Sequence, residues 1–340
     1  DVIVGIGTRY SDFTTCSKTA INFDTAKLIN ININRVDAYK LDATQVVGDA
    51  KVSVLKLKDA LNDYQFDITD LVSDIKQQWS NERARLATVN INSDDFTPEI
   101  ADQFDQAKMK QYVEALQTEL PQTNALIEVN NTIAPDAIIV AAAGSLPGDL
   151  ERLWETDTFN TYNMEYGYST MGYEIAAAVG AKIAEPNKEV YALVGDGSFL
   201  MLHTELITAL QYNYKINIIL FDNSGFGCIN NLQMGNGSES FCTEFTDYNG
   251  QPLNIDYQKV AEGYGAKSYK VNDTKSLATA IEQAKQETKS TLIDIKTLPK
   301  TMTDGYESFW NVGVSEHSDK PSIKEAFSQK AQTMKTAKHY

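Results

Sequence analysis

Residues 190–227 read VYALVGDGSFLMLHTELITALQYNYKINIILFDNSGFG, and this stretch decides the fold. Apolar runs at Val190–Val194 and Ile216–Phe221 predict two buried strands. Gly195-Asp196-Gly197-Ser198 follows the first strand, and Asp222-Asn223-Ser224-Gly225 follows the second. Parallel strands joined through a helix place their carboxyl ends at one edge of the sheet, where ligands bind. The stretch therefore predicts a ligand site at that edge.

The residues at these two strand ends suit a phosphate and a divalent cation. Glycines let backbone N–H groups approach a phosphate closely, and a helix N-terminus adds a favourable potential. Asp196 and Asn223 offer hard oxygen atoms of the kind that Mg²⁺ or Ca²⁺ prefers. Gly-Asp-Gly alone is more often a turn, and Asp-Asn alone is an ordinary strand end. Both together, separated by 25 residues that include a predicted helix at Leu200–Gln211, indicate a diphosphate and metal site.

Alternating strands and helices extend this pattern along the chain. They predict an α/β fold built on a doubly wound parallel sheet that is covered on both faces. Further strands are expected at Val2–Ile6, Ile29–Ile33, Ala137–Ala143, Ser268–Val271 and Leu292–Ile295, and further helices at Lys51–Tyr64, Tyr173–Lys182, Tyr257–Tyr264 and Ser276–Glu287. We expect four segments: an α/β segment at 1–75, a helical linker anchored by Trp79 at 76–122, a second α/β segment at 123–300, and a polar tail at 301–340.

Composition and charge exclude several classes of partner. The 30 basic and 46 acidic residues give a net charge of −16, which repels nucleic acid and anionic membranes. Apolar runs are too short for a membrane span. The three cysteines are too scattered for a disulfide framework or a zinc cluster, so we expect a cytoplasmic protein. The chain starts inside an apolar strand at Asp1, and we expect it to be a fragment of something longer.

The stretch from Gly195 to Asn223 resembles the signature of the thiamine diphosphate-dependent enzymes, in which Gly-Asp-Gly, a helix and a strand precede Asn-Asn. The resemblance implies thiamine diphosphate and Mg²⁺ as cofactors, with Asp196, Asn223 and the Gly225 carbonyl as metal ligands. The residues implied to line the diphosphate are Gly144, Ser145, Gly197, Ser198, Phe226 and Gly227, and Gly195 and Asn223 are also expected to bind the cofactor. Asp222 replaces the first Asn of the signature, but the metal ligand at the second position is retained.

Residues 165–172, EYGYSTMG, resemble the segment that meets the two rings of the cofactor. The residue matching Met171 holds the cofactor in a bent conformation there, and the carbonyl matching Ser169 reads the pyrimidine. Many relatives have Gly where this chain has Ser169, although only a backbone carbonyl is needed. The less favoured alternative for Met171 is a core residue, because methionine fills irregular gaps in cores. Both interpretations of Met171 stay open.

The chain is most similar to the acetolactate synthase branch of this family, and within it to enzymes of inositol catabolism that open the ring of a cyclic 1,2-diketone. The stretches that carry this resemblance are AAGSLPGD at 142–149, MEYGY at 164–168, FDNSGFGCINNLQMG at 221–235 and MTDGY at 302–306. Residues 1–75 resemble part of the Rossmann-like central domain. The resemblance implies hydrolysis of a C–C bond in a polyhydroxy diketone by a homodimer or homotetramer whose active site is shared between subunits.

In this family a glutamate from a separate N-terminal domain of the partner subunit protonates the cofactor. We find no segment that matches that domain, so we assign no catalytic residue to this chain and expect it to be inactive alone. One alternative is a carboligase acting on 2-oxoacids, and another is a non-catalytic assembly module. A nicotinamide enzyme is disfavoured, since Gly-x-Gly-x-x-Gly does not follow Val190–Val194.

Several other reactive-looking residues have plain structural interpretations. His203 is expected inside the helix after Gly-Asp-Gly, where a packed histidine is commoner than a catalytic one. Cys228 has no neighbour in the sequence that would clearly lower its pKa. Asn230, Asn231 and Gln233 follow the metal motif closely, and either substrate contacts or hydrogen bonds within the loop would explain them.

Overall fold

A computed structural model of the chain describes residues 1–94, 96–98, 105–165, 167–306 and 309–339, and for Ser145 the backbone alone. The described residues form two compact units. The first comprises Asp1–Lys76, Asn236–Ser238 and Gly305–Tyr340, and the second comprises Gln77–Gly235 and Glu239–Asp304. The predicted α/β class is confirmed, whereas the predicted segment boundaries stay a prediction.

The second unit is built on a six-stranded sheet in which every pairing is parallel. Its strands are β4 (Ile138–Ala141), β5 (Tyr162–Met164), β6 (Val190–Gly195), β7 (Asn217–Asp222), β8 (Lys267–Val271) and β9 (Thr291–Lys296). Across the sheet the order is β5-β4-β6-β7-β9-β8. The chain leaves β4 on one side to form β5 and returns on the other side to form β6. The strand order therefore reverses between β4 and β6, and such a reversal opens a crevice at the carboxyl ends of the two strands.

Helices cover both faces of this sheet. They are α4 (Gln106–Leu116), α5 (Gln122–Thr132), α6 (Ser145–Leu153), α7 (Tyr173–Ala184), α8 (Asp196–Met201), α9 (Glu205–Gln211), α10 (Gly227–Gly235), α11 (Tyr257–Tyr264) and α12 (Thr274–Gln286). Alternate residues of β6 point into two separate cores. Tyr191 and Leu193 pack with α5, α6 and α12, whereas Ala192 and Val194 pack with α7, α9 and α11. The continuous apolar runs in the sequence reflect this burial on both faces.

The first unit contains a three-stranded parallel sheet in the order β1-β2-β3. Its elements are β1 (Val2–Ile6), β2 (Lys27–Asn32), α1 (Arg35–Ala38), β3 (Thr44–Val47), α2 (Ala50–Ala60), the start of α3 (Thr69–Leu86) and α13 (Pro321–Thr333). Leu28, Leu41 and Ala43 form its small core. Val52, Val54 and Leu55 of α2 are exposed, as are Val2, Val4 and Ile6 on alternate positions of β1. Within the part of the chain that the structure describes, these side chains of β1 are left uncovered, although parallel sheets are normally covered on both faces.

Some local predictions from the sequence were wrong. The single helix expected at Leu200–Gln211 is two helices, α8 and α9, and His203 lies in the break between them. The C-terminal region, expected to be a polar tail, contains the 13-residue helix α13. Trp79 is an anchor as predicted, since it packs against the sheet core and its Nε1 donates to Arg152 O at 3.0 Å. Trp310 in the C-terminal region packs edge-on against Phe13.

Among the described residues, we find no helix that has both the length and the apolar character needed to cross a membrane.

The centre of the six-stranded sheet is expected to be the part of the second unit most sensitive to truncation. Ile219 is fully buried on β7, so Ile219→Ala should lower the free energy of unfolding by about 2–5 kcal/mol. Ile207→Ala on α9 is the matched control, because Ile207 is 46% exposed and its truncation should change stability by about 0.5 kcal/mol or less. Urea unfolding followed by circular dichroism measures both. Equal losses for the two variants would contradict this view of the core.

Candidate functional site

A pocket opens at the carboxyl ends of β4, β6 and β7, where the strand order reverses. Loops that follow three strands supply most of its wall. The lining residues are Gln122, Ala143, Gly144, Leu146, Met171, Gly195, Asp196, Gly197, Ser198, Phe221, Asn223, Gly225, Phe226, Gly227, Cys228 and Ile229. The two motifs that the sequence predicted to meet at one edge of the sheet therefore lie in one pocket.

Asp196 ties the two motif loops together. The register of β6 and β7 pairs Gly195 with Phe221, so Asp196 begins its helix beside the end of β7. One carboxylate oxygen, Oδ1, accepts a hydrogen bond from Gly197 N at 3.0 Å, and Oδ2 accepts one from Gly225 N at 2.9 Å. Burial and the neighbouring Asp222 carboxylate raise the pKa of Asp196 well above its usual value. A bound cation would favour the charged form that this buried site otherwise disfavours.

Asp222, which departs from the family signature, belongs to a buried ion cluster. Its Oδ1 accepts a hydrogen bond from Ser224 N at 3.0 Å, which supports the left-handed backbone of Ser224 at φ +58°. Its Oδ2 contacts the ammonium of Lys296, a fully buried lysine that also lies 3.1 Å from Asp294 Oδ2. An asparagine at position 222 would have its oxygen facing only one of these two donors and its NH₂ group facing the other. Asp222 is therefore the partner of the buried Lys296, and its departure from the signature does not affect the neighbouring Asn223.

Three oxygen atoms converge where the metal is predicted to bind. The Asn223 side chain places one amide atom 3.0 Å from Gly225 O and 3.3 Å from Asp196 Oδ1. With its nitrogen in that position, Asn223 donates to both oxygens. With its oxygen there, the Asn223 oxygen lies roughly 3 Å from each of the other two oxygens, which is the edge of an octahedron around Mg²⁺ with bonds of about 2.1 Å. The residues therefore fit a divalent ion, since a rotation of one amide converts the hydrogen-bonded cluster into a set of ligands.

A second segment fixes the peptide of Gly225. Residues 243–245 run antiparallel to residues 224–226, with Phe226 N donating to Thr243 O at 2.8 Å and Phe245 N donating to Ser224 O at 2.8 Å. A Cβ atom on Gly225 would lie 2.4 Å from Thr243 O, so only glycine allows this approach. The pairing sets the orientation of the Gly225 carbonyl, one of the three converging oxygens.

Two helices of nine residues begin at the pocket. Gly144, with φ +106°, precedes α6, and Gly227 is the first residue of α10. The hydrogen bond from Asn230 N to Phe226 O is the first of the α10 pattern, so the backbone N–H groups before it point out of the helix end. Such ends attract phosphate groups. Glycine at position 197 allows the two motif loops to approach each other, because a Cβ atom there would lie 2.6 Å from the Phe226 ring.

The segment at 165–172 is held together by a carboxylate. Glu165 accepts hydrogen bonds from Tyr168 N at 2.9 Å and Thr170 N at 2.7 Å, and these hydrogen bonds lower its pKa. Met171 is partly buried and lines the pocket. Ser169 is exposed, lies outside the pocket wall and has φ +54°, a left-handed value that suits glycine. Tyr166 lies outside the described residues.

The structure brings most of the predicted residues to one wall, where their roles in binding stay a prediction. Ser145 starts α6 beside them. The Ser198 hydroxyl is already hydrogen-bonded within the protein. Its Oγ donates to the Glu174 carboxylate at 2.8 Å and accepts from Gly172 N at 2.7 Å. Its backbone is therefore the part available to a ligand. Gln122 was not identified from the sequence, because a glutamine after a proline carries no motif.

Polar residues that follow the metal motif form hydrogen bonds within the loop. Asn230 Nδ2 donates to Thr243 Oγ1 at 2.9 Å, and Gln233 bonds the backbone of Phe241 through both amide atoms. These contacts favour the loop interpretation over substrate contacts for both residues. His203 stacks on Phe199 and its Nδ1 lies 3.1 Å from Tyr264 Oη, which is the packed arrangement.

Comparison with known proteins places this site in a family. Residues 142–295 match the family described as "Thiamine pyrophosphate enzyme, C-terminal TPP binding domain". The whole chain is 56% identical to a 3D-(3,5/4)-trihydroxycyclohexane-1,2-dione hydrolase of Bacillus licheniformis, of which it covers 53%. Proteins of the same name from Listeria monocytogenes and Bacillus subtilis are 58% and 55% identical, again over all of this chain and 53% of theirs. The chain thus spans about half the length of the curated relatives it matches.

The close approach at Gly225 gives a test of the loop geometry. In Gly225→Ala the added methyl would meet backbone atoms of residues 243–244, so the paired segments must separate and the free energy of unfolding should fall by about 1–3 kcal/mol. Gly263→Ala is the control, because Gly263 lies in α11 with open space around its Cβ position. This control should be neutral or stabilising by up to about 1 kcal/mol. Chemical denaturation compares the two, and an unchanged Gly225→Ala variant would contradict the pairing.

Proposed function

Residues 142–295 belong to the family of C-terminal thiamine pyrophosphate-binding domains, and we propose that the whole protein is a thiamine diphosphate- and Mg²⁺-dependent hydrolase that opens the ring of a cyclic 1,2-diketone. The substrate proposed is a trihydroxycyclohexane-1,2-dione, and the product is 5-deoxy-glucuronate, as in inositol catabolism. The observation that carries this proposal is the identity of 54–58% to hydrolases of that name over the entire chain. That similarity extends far beyond the motif that binds the cofactor.

The metal part of the proposal rests on the converging oxygens. Asp196 Oδ1, Asn223 Oδ1 and Gly225 O would hold Mg²⁺, with the starts of α6 and α10 facing the diphosphate. When bound, thiamine diphosphate supplies the nucleophilic carbon and the electron sink for cleavage of the C–C bond. The residues of this chain bind and orient it: Asp196 joins the two loops, Met171 forms the wall toward the rings, and Phe221 and Phe226 add apolar surface.

Among the described residues that line the pocket, Asp196 is the one carboxylate, and the proposed metal uses it. Proton transfer therefore needs a group from outside this wall, which supports a homodimer or homotetramer whose active site is shared between subunits. We also propose a cytoplasmic location, because Cys16, Cys228 and Cys242 are all unbridged and a reducing compartment keeps thiols in that state.

An assay of the whole protein tests the reaction. With thiamine diphosphate and Mg²⁺, we expect hydrolysis of the cyclic diketone and little product from pyruvate, whereas a 2-oxoacid carboligase would show the reverse preference. The 340-residue chain on its own is expected to give no turnover with either substrate, since the proton-transfer group is not in its pocket wall. Turnover by the isolated chain would contradict the shared site. Absence of turnover and of cofactor binding by the whole protein would favour an assembly module.

Substitution of Asn223, one of the three proposed ligands, tests the metal site. The Asn223 side chain makes its contacts within the oxygen cluster, so Asn223→Ala should preserve the fold while weakening Mg²⁺ binding at saturating thiamine diphosphate. A loss of at least about tenfold is expected, because even outer-shell partners of a metal are worth that much. Asn81→Ala, an exposed change on α3, should bind like the wild type. Titration calorimetry after treatment with EDTA measures both, and equal affinities would remove Asn223 from the ligand set.

A further inference from the structure

Gln122 is a buried residue of the pocket wall whose side-chain carbonyl lacks a hydrogen bond. It is the first residue of α5, is 1% exposed and lines the same cavity as the converging oxygens. Its backbone N donates to Thr301 Oγ1 at 2.9 Å, and its side-chain Oε1 has no partner among the described residues. Buried acceptors are rarely left in that state, because a lost hydrogen bond costs about 1–3 kcal/mol. An unpartnered acceptor in a pocket wall therefore points to a donor on a ligand.

Asp149 sets which end of the Gln122 amide is turned away from the pocket. Its Oδ2 accepts from Gln122 Nε2 at 2.7 Å, and its Oδ1 accepts from Thr303 N at 3.0 Å and from Thr303 Oγ1 at 2.7 Å. Arg152 donates in turn to Thr303 Oγ1 at 2.6 Å. These donors direct their hydrogens at the carboxylate, so Nε2 stays on Asp149 and Oε1 is the atom left for a ligand.

The chemistry of the proposed ligand limits which of its groups can donate a hydrogen bond to Gln122 Oε1. Near neutral pH a diphosphate presents essentially acceptor oxygens, which would repel Oε1. A Mg²⁺ ion held by the three protein oxygens and the diphosphate would keep water at its remaining positions, because Mg²⁺ loses its water reluctantly. A metal-bound water is a strong donor, because the cation polarises it.

We propose that Gln122 is a further cofactor-binding residue, whose Oε1, oriented by Asp149, accepts a hydrogen bond from a water molecule on the Mg²⁺–diphosphate unit. This inference rests on the proposed function, since it requires that unit in the pocket. Gln122 helps to hold the metal without ligating it, and Asp149 acts as a positioning residue behind it. The role assigned to Asp149 is to keep an acceptor, and not the NH₂ group, turned toward the ligand.

Calorimetry on the whole protein tests this, with Mg²⁺ titrated at saturating thiamine diphosphate. Gln122→Met keeps the volume but removes the acceptor, so Mg²⁺ affinity should fall about tenfold, the usual worth of one such hydrogen bond to a polarised group. Asp149→Asn retains an acceptor for Thr303 but offers NH₂ to Gln122, which should turn the amide around. Asp149→Asn should therefore also weaken Mg²⁺ binding, although Gln122 itself is unchanged.

Two controls separate this effect from a general loosening of the site. Gln211→Met makes the same replacement at an exposed position on α9, and Thr303→Ala removes one bond to Asp149 without reversing the Gln122 amide. Both should bind Mg²⁺ within about twofold of wild type. The inference is overturned if Gln122→Met binds as wild type, or if Thr303→Ala loses as much affinity as Asp149→Asn. Should Gln122→Met fail to fold, wild-type affinity in Asp149→Asn overturns it equally. A wild-type protein that binds no thiamine diphosphate with Mg²⁺ removes the proposed function, and the inference with it.

Discussion

The site depends on one carboxylate that joins two strand ends. Because β6 and β7 are parallel neighbours with Gly195 opposite Phe221, their following loops meet, and Asp196 accepts N–H groups from both. Asp196 is itself the first residue of α8, and the loop after β7 is also held by its pairing with residues 243–245. With the Asp196 bonds in place, the Asn223 amide contacts both the Gly225 carbonyl and Asp196 Oδ1. The group that joins the two loops is thus also one of the proposed metal ligands.

Burying this carboxylate beside another acidic residue requires compensation. Asp222 and Asp294 share the single ammonium of Lys296, and burial raises the pKa of Asp294 to about 7. Replacing one partner of such a buried cluster commonly costs several kcal/mol, because a charge is left unpaired. Asp196 has no cation of its own in this cluster. A divalent ion would complete the charge balance on that side, which explains how an acidic protein can hold an anionic cofactor.

Much of the fold and of the pocket could be predicted from the sequence, because both depend largely on local sequence patterns. Buried parallel strands appear as apolar runs, and glycine with oxygen-bearing residues marks their ends, as at Gly195–Ser198. What was missed depends on tertiary contacts. The break between α8 and α9 surrounds His203, whose ring stacks on Phe199 and bonds Tyr264, 61 positions away. Strand β5 has three residues, too few for a periodic signal.

Side-chain direction is the other property that sequence patterns do not reveal. Ser198 and Gln122 both lie on the pocket wall, yet their roles follow from distant partners. Glu174 turns the Ser198 hydroxyl inward, and Asp149 holds the amide nitrogen of Gln122. In the proposed complex the wall would present backbone donors toward the diphosphate and oxygen acceptors toward the metal, because Glu174 and Asp149 already bind the Ser198 hydroxyl and the Gln122 amide nitrogen. Under this proposal, the specificity of binding depends on residues that lie behind those a ligand would contact.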